Sequence, residues 1–301
     1  MTERTLRAAT RQSPLALWQA QHVRRLLEAA HPGLTVELVA METEGDKRLD
    51  VPISAFGGKG VFAKEVQQAV LTGRADFAVH SAKDLPAVTV PGLAMASVPE
   101  RGDSRDALVG ATLDELTEGA TVATGSQRRR VLLGRMRPDL VFTELRGNMA
   151  TRLAKLPPGG AIVVAVAAFQ RLGLDEHLAQ RFAVDEMVPQ VGQGALAIEC
   201  RASDEATRAL LAVVEHRSTR HRVDAERAFL AELGGDCDLP AGAHARFVGV
   251  QDEGLLVLDA FLATSGAHDA TVVRHQATGD EPEALGHAVA RHLRHALGPN
   301  P

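Results

Sequence analysis

Three segments of this 301-residue chain set arginine and hydroxyl side chains at the joint where a strand pattern turns into a helix pattern. Thr124-Gly125-Ser126-Gln127-Arg128-Arg129-Arg130 follows an apolar strand and opens a helix. Backbone N–H groups and two hydroxyls therefore gather beyond the strand end. Cations in a first helical turn oppose the positive end of the helix dipole, at about 0.3–1 kcal/mol each, which makes sense beside an anion. A solvated basic helix face is the other reading. Thr10-Arg11-Gln12-Ser13-Pro14 repeats the arrangement, with Ser13 as N-cap and Pro14 at the first helical position. Leu145-Arg146-Gly147-Asn148, with Thr151-Arg152, is a third such joint. Ligands of open α/β sheets sit beyond the carboxyl ends of the strands. Three arginine-bearing joints thus predict a ligand with several carboxylates or phosphates. Neither GxxxxGK[ST] nor GxGxxG occurs, so nucleotide binding has no support.

His80-Ser81-Ala82-Lys83-Asp84-Leu85-Pro86 follows a short strand. Asp84 reads either as part of a surface turn or as a general acid/base and counter-charge to a cationic intermediate. Cys200 ends an apolar strand and reads as an inert buried thiol. Cys237 lies in the turn-rich run Gly234-Gly235-Asp236-Cys237-Asp238-Leu239-Pro240, either as a plain loop cysteine or as a reactive attachment point. Asp236 and Asp238 disfavour its thiolate unless arginines offset them. These two cysteines make neither a CxxC motif nor a disulfide framework, and predict a reduced, cytoplasmic protein. His292 and His295 share a helical face without a third ligand, so no metal site is expected. Trp18 reads as a core or boundary residue of the first helix.

The elements that must position these groups follow from composition and pattern. Apolar residues at 45% and charged residues at 24% predict a globular chain of two or three domains. The net charge of -5 gives no generic pull toward nucleic acid, and no apolar run reaches bilayer length. The opening MTERTLRAATRQ does not read as a secretory leader. Only five of the 33 cations are lysines, so most can grip a carboxylate as a fork. Strand and helix patterns alternate over the first two hundred residues, the signature of α/β layers. Residues 42–60 have little apolar periodicity and read as a long loop. Breaks at Val98-Pro99-Glu100-Arg101 and Pro189-Gln190-Val191-Gly192-Gln193-Gly194 predict a chain that leaves one domain, builds a second and returns. Such a double crossover makes a hinge with a cleft between lobes, the default site. The expected domains are 1–98 with 195–217, then 99–194, then a small α+β domain over 218–301. No internal repeat is evident in the sequence.

Taken in order, Ala9-Thr10-Arg11-Gln12-Ser13-Pro14-Leu15-Ala16, Gly57-Gly58-Lys59-Gly60, His80-Ser81-Ala82-Lys83-Asp84-Leu85-Pro86, Leu145-Arg146-Gly147-Asn148, Val191-Gly192-Gln193-Gly194 and Ala225-Glu226-Arg227 resemble the porphobilinogen deaminase family over nearly the whole chain. The resemblance implies an α/β fold of two periplasmic-binding-protein-like lobes and a third, cofactor-bearing domain. It implies a dipyrromethane cofactor joined by a thioether to Cys237. Four porphobilinogen units would be added in turn with loss of ammonia, and linear hydroxymethylbilane released by hydrolysis. Carried over by motif, Lys83, Asp84, Thr124, Ser126, Arg128 and Arg129 would hold the cofactor. Arg11, Ser13, Arg146, Arg152 and Arg171 would bind substrate, and Asp84 would be catalytic. Residues 42–60, with Lys59, would form a flap. The family expectation is a monomer. Two departures stand out: Ala55 where several members carry Lys, and Asp236 beside Cys237 in place of glycine. The competing reading is a non-catalytic, two-lobed anion-binding or effector-sensing protein.

Overall fold

The computed structural model describes residues 4–47, 60, 62–234, 239–249 and 254–298. Its tertiary contacts divide the chain into two compact units, Met1–Gly102 with Ala195–His221 and Asp103–Gly194 with Arg222–Pro301.

The first unit opens with β1 (Arg4–Arg11), α1 (Pro14–Ala30), β2 (Leu34–Met41) and a one-turn α2 (Glu44–Lys47). Then come α3 (Lys64–Leu71), β3 (Phe77–Ser81) and β4 (Leu93–Ser97). The Ser13 hydroxyl caps α1 by accepting from the Ala16 N–H at 3.3 Å. Ala16, Ala20, Val23 and Leu27 then face the core with the spacing of one helical face. After the excursion through the second unit the chain returns as β10 (Leu196–Arg201), followed by α7 (Glu205–Leu211). The five strands lie in the order β2-β1-β3-β10-β4. β1 runs parallel to β2 and β3, whereas β10 runs antiparallel to both its neighbours. Central β3 and β10 are buried almost throughout, as strands covered on both faces must be.

The second unit begins with β5 (Asp106–Val109), β6 (Thr121–Ala123), α4 (Gln127–Met136), β7 (Val141–Thr143) and α5 (Met149–Ala154). It continues through β8 (Ala161–Ala165), α6 (Val166–Leu172) and β9 (Leu178–Arg181). Its sheet order is β7-β6-β8-β5-β9, again with three parallel strands and then an antiparallel fourth. The two sheets therefore repeat one arrangement that leaves no repeat in the sequence, because topology constrains only which positions are apolar.

α8 (Arg217–Glu232) carries residues of both units. It starts at Arg217, where the His216 ring accepts from the Thr219 N–H at 3.3 Å and serves as the cap. The remaining sheet is the antiparallel meander β11 (Ala241–Val248), β12 (Leu255–Ala263) and β13 (Val272–Gly279). It is packed by Ala225 and Phe229 of α8 and by α9 (Pro282–Leu297). Gly286 of α9 is required at that crossing, since a Cβ there would lie 2.2 Å from the Ala225 carbonyl. The chain is thus α/β, with two five-stranded sheets of like strand order and a small α+β region formed by β11–β13 with α8 and α9.

Glu226 explains why its motif matters to the fold. Wholly buried, it accepts from the Gly192 N–H at 2.8 Å and the Ala245 N–H at 2.9 Å, tying the glycine-rich joint to β11. Replacing it by alanine orphans two buried donors, at about 1–3 kcal/mol each. Glu226→Ala is expected to lose about 3 kcal/mol of stability, and Glu226→Gln less, measured as a fall in urea midpoint.

Candidate functional site

In the first unit β1 and β3 deliver their carboxyl ends to one small pocket. It is lined by Arg11 and Ser13 from the β1–α1 joint, Gln19 from α1, and His80, Ser81 and Asp84 from the end of β3. Asp84 ends a single 3-10 turn, Ala82–Asp84, held by the Leu85 N–H donating to the Ala82 carbonyl. The Ala82 N–H in turn donates to the Ala195 carbonyl at 3.0 Å. Gln19 fixes the floor through a 2.8 Å bond to the Ser81 hydroxyl. The Arg11 guanidinium lies 4.3 Å above the Phe62 ring, a cation–π contact that holds the fork at the pocket wall. Three expected site residues, Arg11, Ser13 and Asp84, are thus brought together, and Lys83 adjoins them. Asp84 is half-buried, as a group that meets a ligand must be.

Two residues of this region escaped sequence reasoning. The side chains of His80 and Glu199 are 4% and 3% exposed, with Nε2 and Oε2 3.2 Å apart. Gln67 donates to the same Glu199 carboxylate at 2.8 Å. Glu199 lies in an apolar strand, and the only signal in the sequence is that one charged residue interrupts such a run.

In the second unit Thr124, Ser126, Arg128 and Arg129 share the β6–α4 joint. The Thr124 hydroxyl accepts from the Ser126 N–H, and the Ser126 hydroxyl caps α4 by accepting from the Arg129 N–H at 3.4 Å. The anion demanded by cations in this first turn is internal: it is Asp106, the first residue of β5. Arg128 Nη2 reaches Asp106 Oδ2 at 2.7 Å, and Arg129 Nε and Nη2 reach Oδ1 at 3.0 and 2.6 Å. Gln193 adds a 3.0 Å bond to Oδ1, and the remaining forks donate to the Val188 and Val163 carbonyls. The solvated basic face is therefore excluded, since Arg128 and Arg129 are 4% and 7% exposed. Burial alone would raise the Asp106 carboxyl, but Arg128 and Arg129, aided by Gln193, hold it down at about 2. Arg128 Nε is buried with no hydrogen-bond partner. That leftover donor, on the joint that also carries the Thr124 and Ser126 hydroxyls, is of the type a carboxylate accepts from.

The other arginines are also ordered. Arg152 Nε donates to the Gly147 carbonyl at 2.8 Å, while Asn148 caps α5 by accepting from the Thr151 N–H. Arg171 Nη2 donates to the Gly194 carbonyl at 2.6 Å, and burial lowers its pKa to about 10. Arg146 is half-buried at the same loop as Arg152. Lys59 and Cys237, with Ala55 and Asp236, lie outside the described residues. Cys200 is wholly buried and its thiol is pushed up to about 11 by burial, as an inert core cysteine should be. Among the described residues no helix is long and apolar enough to cross a membrane, and no cluster of three metal-ligating side chains occurs.

Fold and site together define an α/β protein that carries ordered arginines and a half-buried carboxylate at strand-to-helix joints. Residues 6–209 match the family model described as porphobilinogen deaminase, dipyromethane cofactor binding domain, and residues 221–295 match the porphobilinogen deaminase C-terminal domain. The chain belongs to the porphobilinogen deaminase family, enzymes of tetrapyrrole biosynthesis with a dipyrromethane cofactor. It is also similar to the solved structure of a methionine binding protein, MetQ, at 14% identity over 78% of this chain and 97% of that one, with a TM-score of 0.45. A TRAP periplasmic solute binding protein from Desulfovibrio salexigens matches at 13% identity over 75% and 77%, with a TM-score of 0.42. The BenM effector binding domain with benzoate matches at 16% over 78% and 95%, with a TM-score of 0.39.

The Asp106 network makes a signed prediction. Its folded pKa lies below the unfolded value, so its contribution is present above about pH 4 and fades as pH falls toward about 2. Asp106→Asn leaves two buried guanidiniums short of charge, and is expected to cost about 3–5 kcal/mol near pH 7. Denaturation curves of both proteins should converge as the pH is lowered from about 5 to about 2.

Proposed function

We propose that the protein joins four porphobilinogen molecules head to tail onto a dipyrromethane primer attached through Cys237, and then hydrolyses off linear hydroxymethylbilane. The observation that carries this reading is Asp84 sharing one pocket with Arg11 and Ser13 in a chain of this family. Bound dipyrromethane supplies the nucleophilic α-carbon at which the growing chain is extended. Lys83, Asp84, Thr124, Ser126, Arg128 and Arg129 are the residues read as holding it. Arg11, Ser13, Arg146, Arg152 and Arg171 are read as holding the acetate and propionate of the incoming substrate. Arg171 remains protonated near neutral pH despite its lowered pKa of about 10.

Each addition breaks the bond between the substrate's aminomethyl carbon and its nitrogen. The nitrogen leaves as ammonia after taking a proton, and positive charge is left on the methylene-pyrrole. Asp84, as the acid, donates that proton; as carboxylate, it then faces the pyrrole N–H and the cation. The proton lost when the pyrroles join would return to Asp84, so that the cycle would close without a second acid. Arginines on the substrate carboxylates fix its orientation and so hold the aminomethyl group at Asp84. Lys59 belongs to the segment read as a flap. The three domains are taken to divide at 98/99, 194/195 and 217/218. The enzyme is read as a cytoplasmic monomer that uses neither nucleic acid nor membrane. A non-catalytic anion binder is not favoured, since both matched models belong to an enzyme family.

Intact mass of the denatured protein tests the attachment. A covalent excess matching dipyrromethane, absent from Cys237→Ala, is expected; a Cys237→Ala protein that keeps covalent pyrrole overturns the assignment. Asp84→Ala should fold normally and lose far more than tenfold in turnover, so a rate within about tenfold of wild type, under about 1.4 kcal/mol of barrier, removes Asp84 from the chemistry.

A further inference from the structure

A second cavity, of about 610 Å³, opens in the second unit between the last turn of α4 and β13. Its walls are Leu132 and Met136 of α4 and Val272 of β13, with Arg135, Arg274 and Glu186 at the edge. The size falls within the range of cavities that enclose small organic ligands, and packed subdomains are where such cavities gather. None of these residues belongs to the proposed catalytic machinery.

The polar edge is built for negative charge. The Arg274 guanidinium is held in place by donating to the Asp185 carbonyl at 2.5 Å and the Glu186 carbonyl at 3.2 Å. Burial and the nearby charge of Arg135 lower its pKa, against the opposing pull of the Asp185 carboxylate. Two like charges are therefore close enough to repel, which costs free energy that a shared anion recovers. Arg135 is exposed, and no carboxylate forms an ion pair with either arginine among the described residues. Glu186 keeps its negative charge at the edge, but its Oε2 is engaged by the Ala183 N–H at 2.9 Å and the carboxylate makes no ion pair with either arginine. The frame is rigid: a Cβ at Gly134 of α4 would lie 2.1 Å from the Ala267 carbonyl, so the helix and the β12–β13 connection are in backbone contact.

We propose that this cavity binds a small amphipathic anion, with its apolar body against Leu132, Met136 and Val272 and its carboxylate or sulfonate gripped by Arg135 and Arg274. An occupant touches the same ten-residue helix whose first turn carries Arg128 and Arg129. Binding there accordingly meets the helix that braces the buried Asp106 network.

The probe is 1-anilinonaphthalene-8-sulfonate, titrated into the full-length protein by fluorescence with stoichiometry from equilibrium dialysis. One site is expected whose affinity falls about tenfold or more in Arg135→Glu and is kept within about threefold in Arg135→Lys. The uncharged parent, N-phenyl-1-naphthylamine, should bind about tenfold more weakly than the sulfonate. Arg135→Ala replaces Arg135→Glu if the latter fails to fold. Affinity unchanged within about twofold in the Arg135→Glu or Arg135→Ala protein, or equal binding of the uncharged parent, overturns the proposal.

Discussion

A carboxylate shut away from water organises the second unit. Asp106 opens a short strand, yet three side chains from two separate segments close around it: Arg128 and Arg129 of α4, and Gln193 of the glycine-rich joint. Burying an ion is costly unless every lone pair is met, and here each oxygen has a charged donor. The same guanidiniums extend to the Val188 and Val163 carbonyls, so strand, helix and glycine-rich joint are held in one orientation. That orientation in turn aims the Thr124 and Ser126 hydroxyls beyond the strand end. The arginine pair serves structure first, and Arg128 Nε is left buried without a hydrogen-bond partner.

The two five-stranded sheets give the anion-binding joints equivalent places. β1 and β6 are each the middle strand of a parallel triplet, and each passes into a helix capped by a serine, Ser13 or Ser126. β3 and β8 occupy the next position in their sheets; β3 ends in the turn that carries Asp84, and β8 runs directly into α6 with Arg171. One fold pattern, used twice, therefore supplies hydroxyl caps and arginines twice but the turn carboxylate once. The asymmetry suits a reaction with several anions to hold and one proton to move.

Much of this was legible before any coordinates. α4 opens at the joint where Thr124–Arg130 predicts a helix, and Ser13, Ser126 and Pro14 mark the helix starts because capping is local chemistry. The short strands β4, β5 and β9 were not legible, since runs of four or five residues are too brief for a period to show. α8 begins at a histidine cap, which the usual cap residues do not announce. The residues that read as one long loop after β2 include a one-turn helix, Glu44–Lys47, too brief for any period to show.

Fold class and the candidate acid and arginines are legible in residue types and local patterns, and the family in the resemblance its motifs carry, because motifs and caps act over a few neighbouring positions. The partner of Arg128 and Arg129 does not follow. Asp106 stands more than twenty residues away on a strand that reaches them only through the order β6-β8-β5. The pairing of His80 with Glu199 likewise waits on β10 returning beside β3. Charge demand was written in the sequence, but which charge answers it is a matter of sheet order, and sheet order is decided by long-range packing.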